Sequence, residues 1–146
     1  MLVPRFLIFC GLAVSIVFYS LVMDVTPKLE TLGEGEYSFY ISGTPPKSPL
    51  ITKYINNTVF CKSSDAAKVR SLLKNLNGES ITLNSVKTDV LKKLNYQKTF
   101  VNSFGQFGYS TRAQALVRVN GKKVNLQVVI KDGKTIVGFP VILGSY

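Results

Sequence analysis

The chain has no histidine and only two cysteines, Cys10 and Cys61, among its 146 residues. Imidazole and thiolate are the usual ligands of transition metals, so a site of that kind cannot be assembled. A Ser-His-Asp or Cys-His catalytic centre is excluded on the same ground. With Cys10 inside an apolar run and Cys61 far downstream, an intradomain disulfide is excluded too. Carboxylates are scarce as well, eight in all. Asp24, Glu30, Glu34 and Glu36 precede the expected domain, which leaves Asp65, Glu79, Asp89 and Asp132. Asp65 and Asp89 sit where helices are expected to begin, and there negative charge complements the dipole. Asp132 occupies an Asp-Gly turn and Glu79 follows Asn77-Gly78, read as a helix stop. No two of these four are expected to converge for acid–base or glycosidase work. Neither Gly-x-Gly-x-x-Gly nor a Walker loop occurs. The expectation is a chain that is not an enzyme and that needs no cofactor and no metal.

Positive charge is what the chain has in excess. Residues 37–146 carry sixteen Lys or Arg against four Asp or Glu. Such a field attracts polyanions: nucleic acid, acidic lipid head groups or anionic wall polymers. The plainer reading is an ordinary soluble surface.

The second feature is a run of eighteen residues without charge, Phe6 to Met23, bounded by Arg5 and Asp24. As a helix it would reach roughly 27 Å, close to the hydrocarbon thickness of a bilayer. One cation before it and an acid after it favour an inside-to-outside orientation. A small-x-small cleavage site fits poorly, because Phe18 is too large for the first position before Ser20. The expected organisation is a cytoplasmic tip (1–5), a transmembrane signal anchor or uncleaved signal peptide (6–23), a linker (24–36) and an extracytoplasmic domain (37–146). Cleavage of the segment would make the protein secreted instead.

Within the domain, Tyr37 to Ile41 alternates like a first strand, and Ser42 to Pro49 is a proline-rich loop. Lys53 to Lys62 has the β-forming residues of a strand. Ser63-Ser64-Asp65 is expected to cap a helix with Val69, Leu72, Leu73 and Leu76 on one stripe. Ser80 to Leu83 reads as a short strand, and Ser85 to Leu94 as a second helix with Val86, Val90 and Leu94 spaced by four. Everything after Tyr96 looks β. Val117 to Val124 is a hairpin around Asn120-Gly121, and a second hairpin closes at Asp132-Gly133. The register follows: Val117 faces Val124, Ala115 faces Leu126 and Ile130 faces Thr135. Val117, Val119, Val124, Leu126, Val128 and Ile130 then share the core face. The opposite face collects Arg112, Gln114, Arg118, Lys123, Asn125, Gln127 and Lys131, the candidate anion-binding platform, with Tyr109 at its edge. Its plainer reading is the solvated side of a one-sided sheet. Arg118 opposite Lys123 favours a function, because like charges across a ladder are destabilising. The fold class expected is α+β: an N-terminal transmembrane helix, then an antiparallel sheet packed on two helices.

Gly108-Tyr109-Ser110, the stretch from Gly121 through Lys122, Lys123, Val124, Asn125, Leu126 and Gln127 to Val128, and Lys134-Thr135 form a pattern. Together with the ending Gly138-Phe139-Pro140-Val141-Ile142 and a final Tyr146, it resembles the YwmB-like family of Gram-positive spore-forming bacteria. The resemblance covers the last forty or so residues and implies an N-terminal export segment. It also implies a curved antiparallel sheet like that of the TATA-box-binding protein, and an envelope or sporulation-related setting. It implies no catalytic residue. The function expected is a non-enzymatic, membrane-anchored binding or scaffold module of the cell envelope. Its membrane contact would be Phe6 to Met23, and its partner an anionic lipid, a wall polymer or an acidic envelope protein. Nucleic acid on the same face is the alternative, disfavoured outside the membrane.

Overall fold

The computed structural model describes residues 28–86, 89–110 and 116–142, with Val90 and Leu91 described by their backbone alone. Ten strands, β1 Gly35–Ile41, β2 Lys53–Ile55, β3 Thr58–Lys62, β4 Leu76–Leu83, β5 Tyr96–Asn102, β6 Gly105–Ser110, β7 Val117–Val119, β8 Lys122–Val124, β9 Leu126–Lys131 and β10 Lys134–Phe139, dominate it. Two short helices, α1 Ala66–Leu72 and α2 Val90–Lys93, and single 3-10 turns at Leu29–Leu32 and Ser63–Asp65 complete it. Eight strands form one antiparallel sheet in the order β2-β3-β1-β4-β10-β9-β6-β5, and β7 and β8 form a separate two-stranded hairpin. The first half of the chain thus builds one half of the sheet and the second half builds the other. The two meet along β4 and β10, where Leu83 faces Thr135 and Ile81 faces Val137.

One sheet face carries the core. Tyr37 and Phe39 of β1, Ile81 of β4 and Val137 of β10 lie in adjacent rows, fully buried. Ala66 and Val69 of α1 and Leu29 and Leu32 of the first 3-10 turn join the same cluster. Residues 28–36, read as part of a linker, therefore contribute core side chains and the start of β1.

Several expectations need correction. The protein is a predominantly antiparallel β structure, not an α+β domain with a sheet packed on two full helices. The first expected helix ends at Leu72: Leu73 turns extended and Asn75 takes a positive φ of 56°. Residues 76–83, including the supposed Asn-Gly stop, form the longest strand instead. The reason is tertiary. β1 and β10 offer this segment a ladder on both sides, outweighing the local helical stripe. Leu72, counted in that stripe, is consequently exposed. Gly78 suits the strand because a Cβ there would lie 3.0 Å from the Phe139 carbonyl oxygen. The second expected helix contracts to Val90–Lys93.

The single-pass membrane reading is also corrected. Among the described residues no helix is long and apolar enough to cross a membrane. The longer helix, α1 with seven residues, is about 10 Å against ~30 Å of hydrocarbon. The expected span Phe6 to Met23 lies outside the described residues. The described residues thus contain no transmembrane signal anchor and give no support to the extracytoplasmic placement derived from it.

The hairpin registers agree with expectation: Val117 faces Val124, and Ile130 faces Thr135. Ala115 lies outside the described residues. Of the expected core face, Val124, Leu126 and Val128 are buried, whereas Ile130 is half exposed at the end of β9.

Candidate functional site

The β7–β8 hairpin is shaped by its tip. Asn120 and Gly121 both adopt positive φ, 52° and 77°, the geometry that lets a two-residue loop follow strand twist. Val124 points inward and is fully buried, which fixes the hairpin to the body. Arg118 faces Lys123 directly across the ladder, and both are exposed. The Arg118 guanidinium donates one hydrogen bond, 3.0 Å, to the Gly121 carbonyl. Neither cation engages a carboxylate among the described residues, whose ion pairs all involve Arg70.

Asn125 sets the hairpin apart from the main sheet. Its backbone N–H donates to the Gly108 carbonyl at 3.0 Å, keeping contact with β6. Its side chain then replaces a strand: Oδ1 accepts from the Ser110 N–H at 2.7 Å, and Nδ2 donates to the Ser110 carbonyl at 2.9 Å. The Ser110 hydroxyl donates to the Leu94 carbonyl. The base of the hairpin, the end of β6 and the end of α2 are thereby tied at one point. α2 carries Lys92 and Lys93, both exposed, immediately before β5 begins.

The seven expected platform residues do not stay together. Arg112 and Gln114 lie outside the described residues. Arg118 and Lys123 share one face of the hairpin. Asn125 is buried and committed to Ser110. Gln127 is buried as well: its Nε2 donates to the Phe104 carbonyl at 2.6 Å and its Oε1 accepts from the Ile142 N–H at 2.8 Å. The chain after β10 folds back over this face, so that a Cβ on Gly138 would collide with Ile142. Lys131 is exposed at the end of β9, opposite Lys134 across the Asp132-Gly133 turn. Tyr109, on β6, is partly exposed beside Gln97.

Sequence reasoning missed the most tightly bonded polar cluster. Arg70 of α1 donates from Nε to Glu79 Oε2 at 2.9 Å and from Nη2 to Glu79 Oε1 at 2.8 Å. It also grips Glu30 of the first 3-10 turn, at 3.1 and 2.7 Å. The Tyr37 hydroxyl donates to Glu79 Oε1 at 2.5 Å and accepts from Arg70 at 3.1 Å. The guanidinium lies 5.8 and 5.6 Å from the ring centres of Tyr37 and Phe39. Two carboxylates thus do converge, one of them from the supposed linker. Burial pushes the Glu30 carboxyl upward, but its hydrogen bonds to Arg70 outweigh that and hold it below the ordinary range. Burial, with Glu79 beside it, raises Tyr37 far above the usual phenol range. Burial alone would lower Arg70, yet Glu30 and Glu79 raise it further. Both carboxylates are occupied by one guanidinium, so the cluster is a staple joining turn, helix and sheet, with no idle base. A clue was available: Glu79 alternates with Ile81 and Leu83, which places an acid on an apolar strand face.

Cys61 is buried beside the same cluster, and burial, then Asp65, pushes its thiol up to about 12. Among the described residues no group of three His, Cys, Asp or Glu could hold a metal ion. A surface cleft of about 410 Å³ lies between loop 42–46 and the end of α1, and its only ionisable side chain is Lys74. No protein-family model matches the chain, and neither does any curated protein or solved structure.

Proposed function

We propose that the protein is a non-enzymatic binding module whose β7–β8 hairpin holds an anionic partner. The observation that carries this reading is Arg118 set directly opposite Lys123 with no described carboxylate beside either. Like charges facing each other across a ladder destabilise it, and a bound anion relieves that repulsion. The surrounding field points the same way. Residues 28–83 hold seven Lys or Arg against five Asp or Glu, and residues 84–142 hold ten against two. Among the described residues, the part of the chain that bears the hairpin places Lys92, Lys93, Lys98, Arg118, Lys122, Lys123, Lys131 and Lys134 against Asp89 and Asp132. The acids that converge elsewhere are bound to Arg70, which supports binding rather than acid–base chemistry. Residues 117–124 contain no aromatic ring, so the hairpin lacks the stacking groups by which single-stranded nucleic acid is usually held.

The test is equilibrium binding of polyglutamate to the 146-residue chain at several salt concentrations. Binding should weaken as salt rises, since screening acts on exposed charges. The double variant Arg118→Gln, Lys123→Gln should lose about fivefold or more in affinity at low salt. Unchanged affinity in that variant would remove the hairpin from the reading.

A further inference from the structure

We propose that the outer edge of β5 accepts an extended acidic peptide segment as a ninth strand of the sheet. This rests on the reading of the hairpin as an anion-binding element and names the class of partner. β5 is the outermost strand of its half, with β6 as its one neighbour among the described residues. It spans seven residues, and Gln97, Lys98, Thr99 and Val101 are exposed. A strand edge of that length is a row of backbone donors and acceptors ready for another chain. The opposite edge, β2, has three residues and offers a much shorter template.

Charge selects the occupant. Lys92 and Lys93 precede β5 and Lys98 lies on it, while the point where Leu94, Ser110 and Asn125 meet brings the hairpin to its beginning. A second copy of this chain would set Lys98 and the excess charge of its own half against their equivalents. A lysine on an edge is a recognised device against such self-pairing, because it sets like charges together. The irregularity between Lys98 and Phe100 divides the edge, so an added strand pairs regularly on either side of it. An acidic strand converts the repulsion into attraction. The register sets Lys98 against Gly108 and Phe100 against Phe107, on opposite faces, so acids at alternate positions of that strand lie on the Lys98 face and its apolar side chains meet Phe100, stacked on Phe107 at 5.0 Å. The partner class is therefore a protein segment alternating acidic with small apolar residues, not a uniformly charged polymer.

The probe is the blocked octapeptide Glu-Val-Glu-Thr-Glu-Val-Glu-Thr, added to the full chain and followed by amide hydrogen exchange. At saturation the amides of β5 should exchange about tenfold more slowly or better, as new ladder bonds require. N-methylation of one alternate set of peptide nitrogens should abolish binding, while N-methylation of the other set should not. Lys98→Glu should cost about fivefold or more in affinity. Equal binding by the parent and both methylated peptides, or protection restricted to β7–β8, would overturn strand addition. If polyglutamate still binds the hairpin in that case, strand addition alone falls. If polyglutamate also fails at low salt, the reading of the hairpin falls with it.

Discussion

Arg70 is where a single side chain matters most to this protein. It satisfies two acids from two distant elements, and one of them, Glu79, is only 2% exposed. Removing one partner of a buried ion pair leaves the other charge stranded in a poor solvent for it. Arg70→Met should therefore destabilise the fold by about 3–5 kcal/mol, read as a lowered urea midpoint at pH 7. Glu30 gives the network its pH dependence. Its folded carboxyl lies below its ordinary 4.5, so its stabilisation is fully present above that value and is lost as pH falls through the folded value. Stability should accordingly decline on acidification below about pH 4.5, and Glu30→Gln should flatten that limb of the curve relative to the native chain. An acid limb identical in the variant would show that Glu30 contributes nothing to it.

At the scale of elements, the hairpins were legible, whereas the helices were legible in place but not in length. Asn120-Gly121 and Asp132-Gly133 dictate two-residue turns, and a two-residue turn dictates register; both registers are found. Lys53 to Lys62 reads as one strand, but Asn56 and Asn57, with φ of 53° and 60°, turn it into the β2–β3 hairpin; without a glycine the pair is a weaker turn signal than Asn-Gly. The stripe Val69, Leu72, Leu73, Leu76 misled for a different reason. Periodicity reports which residues are apolar, but the strands available to pair with 76–83 come from β1 and β10, which no local window contains. The platform was half legible. Arg118 opposite Lys123 followed from the turn, whereas the burial of Asn125 and Gln127 depends on Ser110, Phe104 and Ile142, contacts made over fifteen or more residues. Asn125 offers the test at this scale. Asn125→Ala removes both side-chain bonds to Ser110 and leaves its buried backbone groups without them. The expected cost is about 1–3 kcal/mol, with faster amide exchange concentrated in Val117–Val124. Exchange raised uniformly over the whole sheet would mean that the residue does not specifically anchor the hairpin.

Across the whole molecule, two chain halves lie side by side as two sheet halves, and their charges differ sharply. Composition showed the excess of lysine but not its placement, because placement needed the strand order, and the strand order depends on the β4–β10 seam. Once that seam is known, a net charge spread through the sequence becomes an excess on one side of it, carried among the described residues by α2, β5, the β7–β8 hairpin and the β9–β10 turn. The turn at the tip of that hairpin has one more consequence. In an asparagine followed by glycine, the next backbone nitrogen meets little obstruction in attacking the side-chain amide carbon, expelling ammonia to form a cyclic imide that water then opens to aspartate or isoaspartate. At the exposed Asn120-Gly121 tip such ageing would add a carboxylate at the end of the ladder that carries Arg118 and Lys123, so the same dipeptide that folds the cationic finger also sets a chemical clock on its charge.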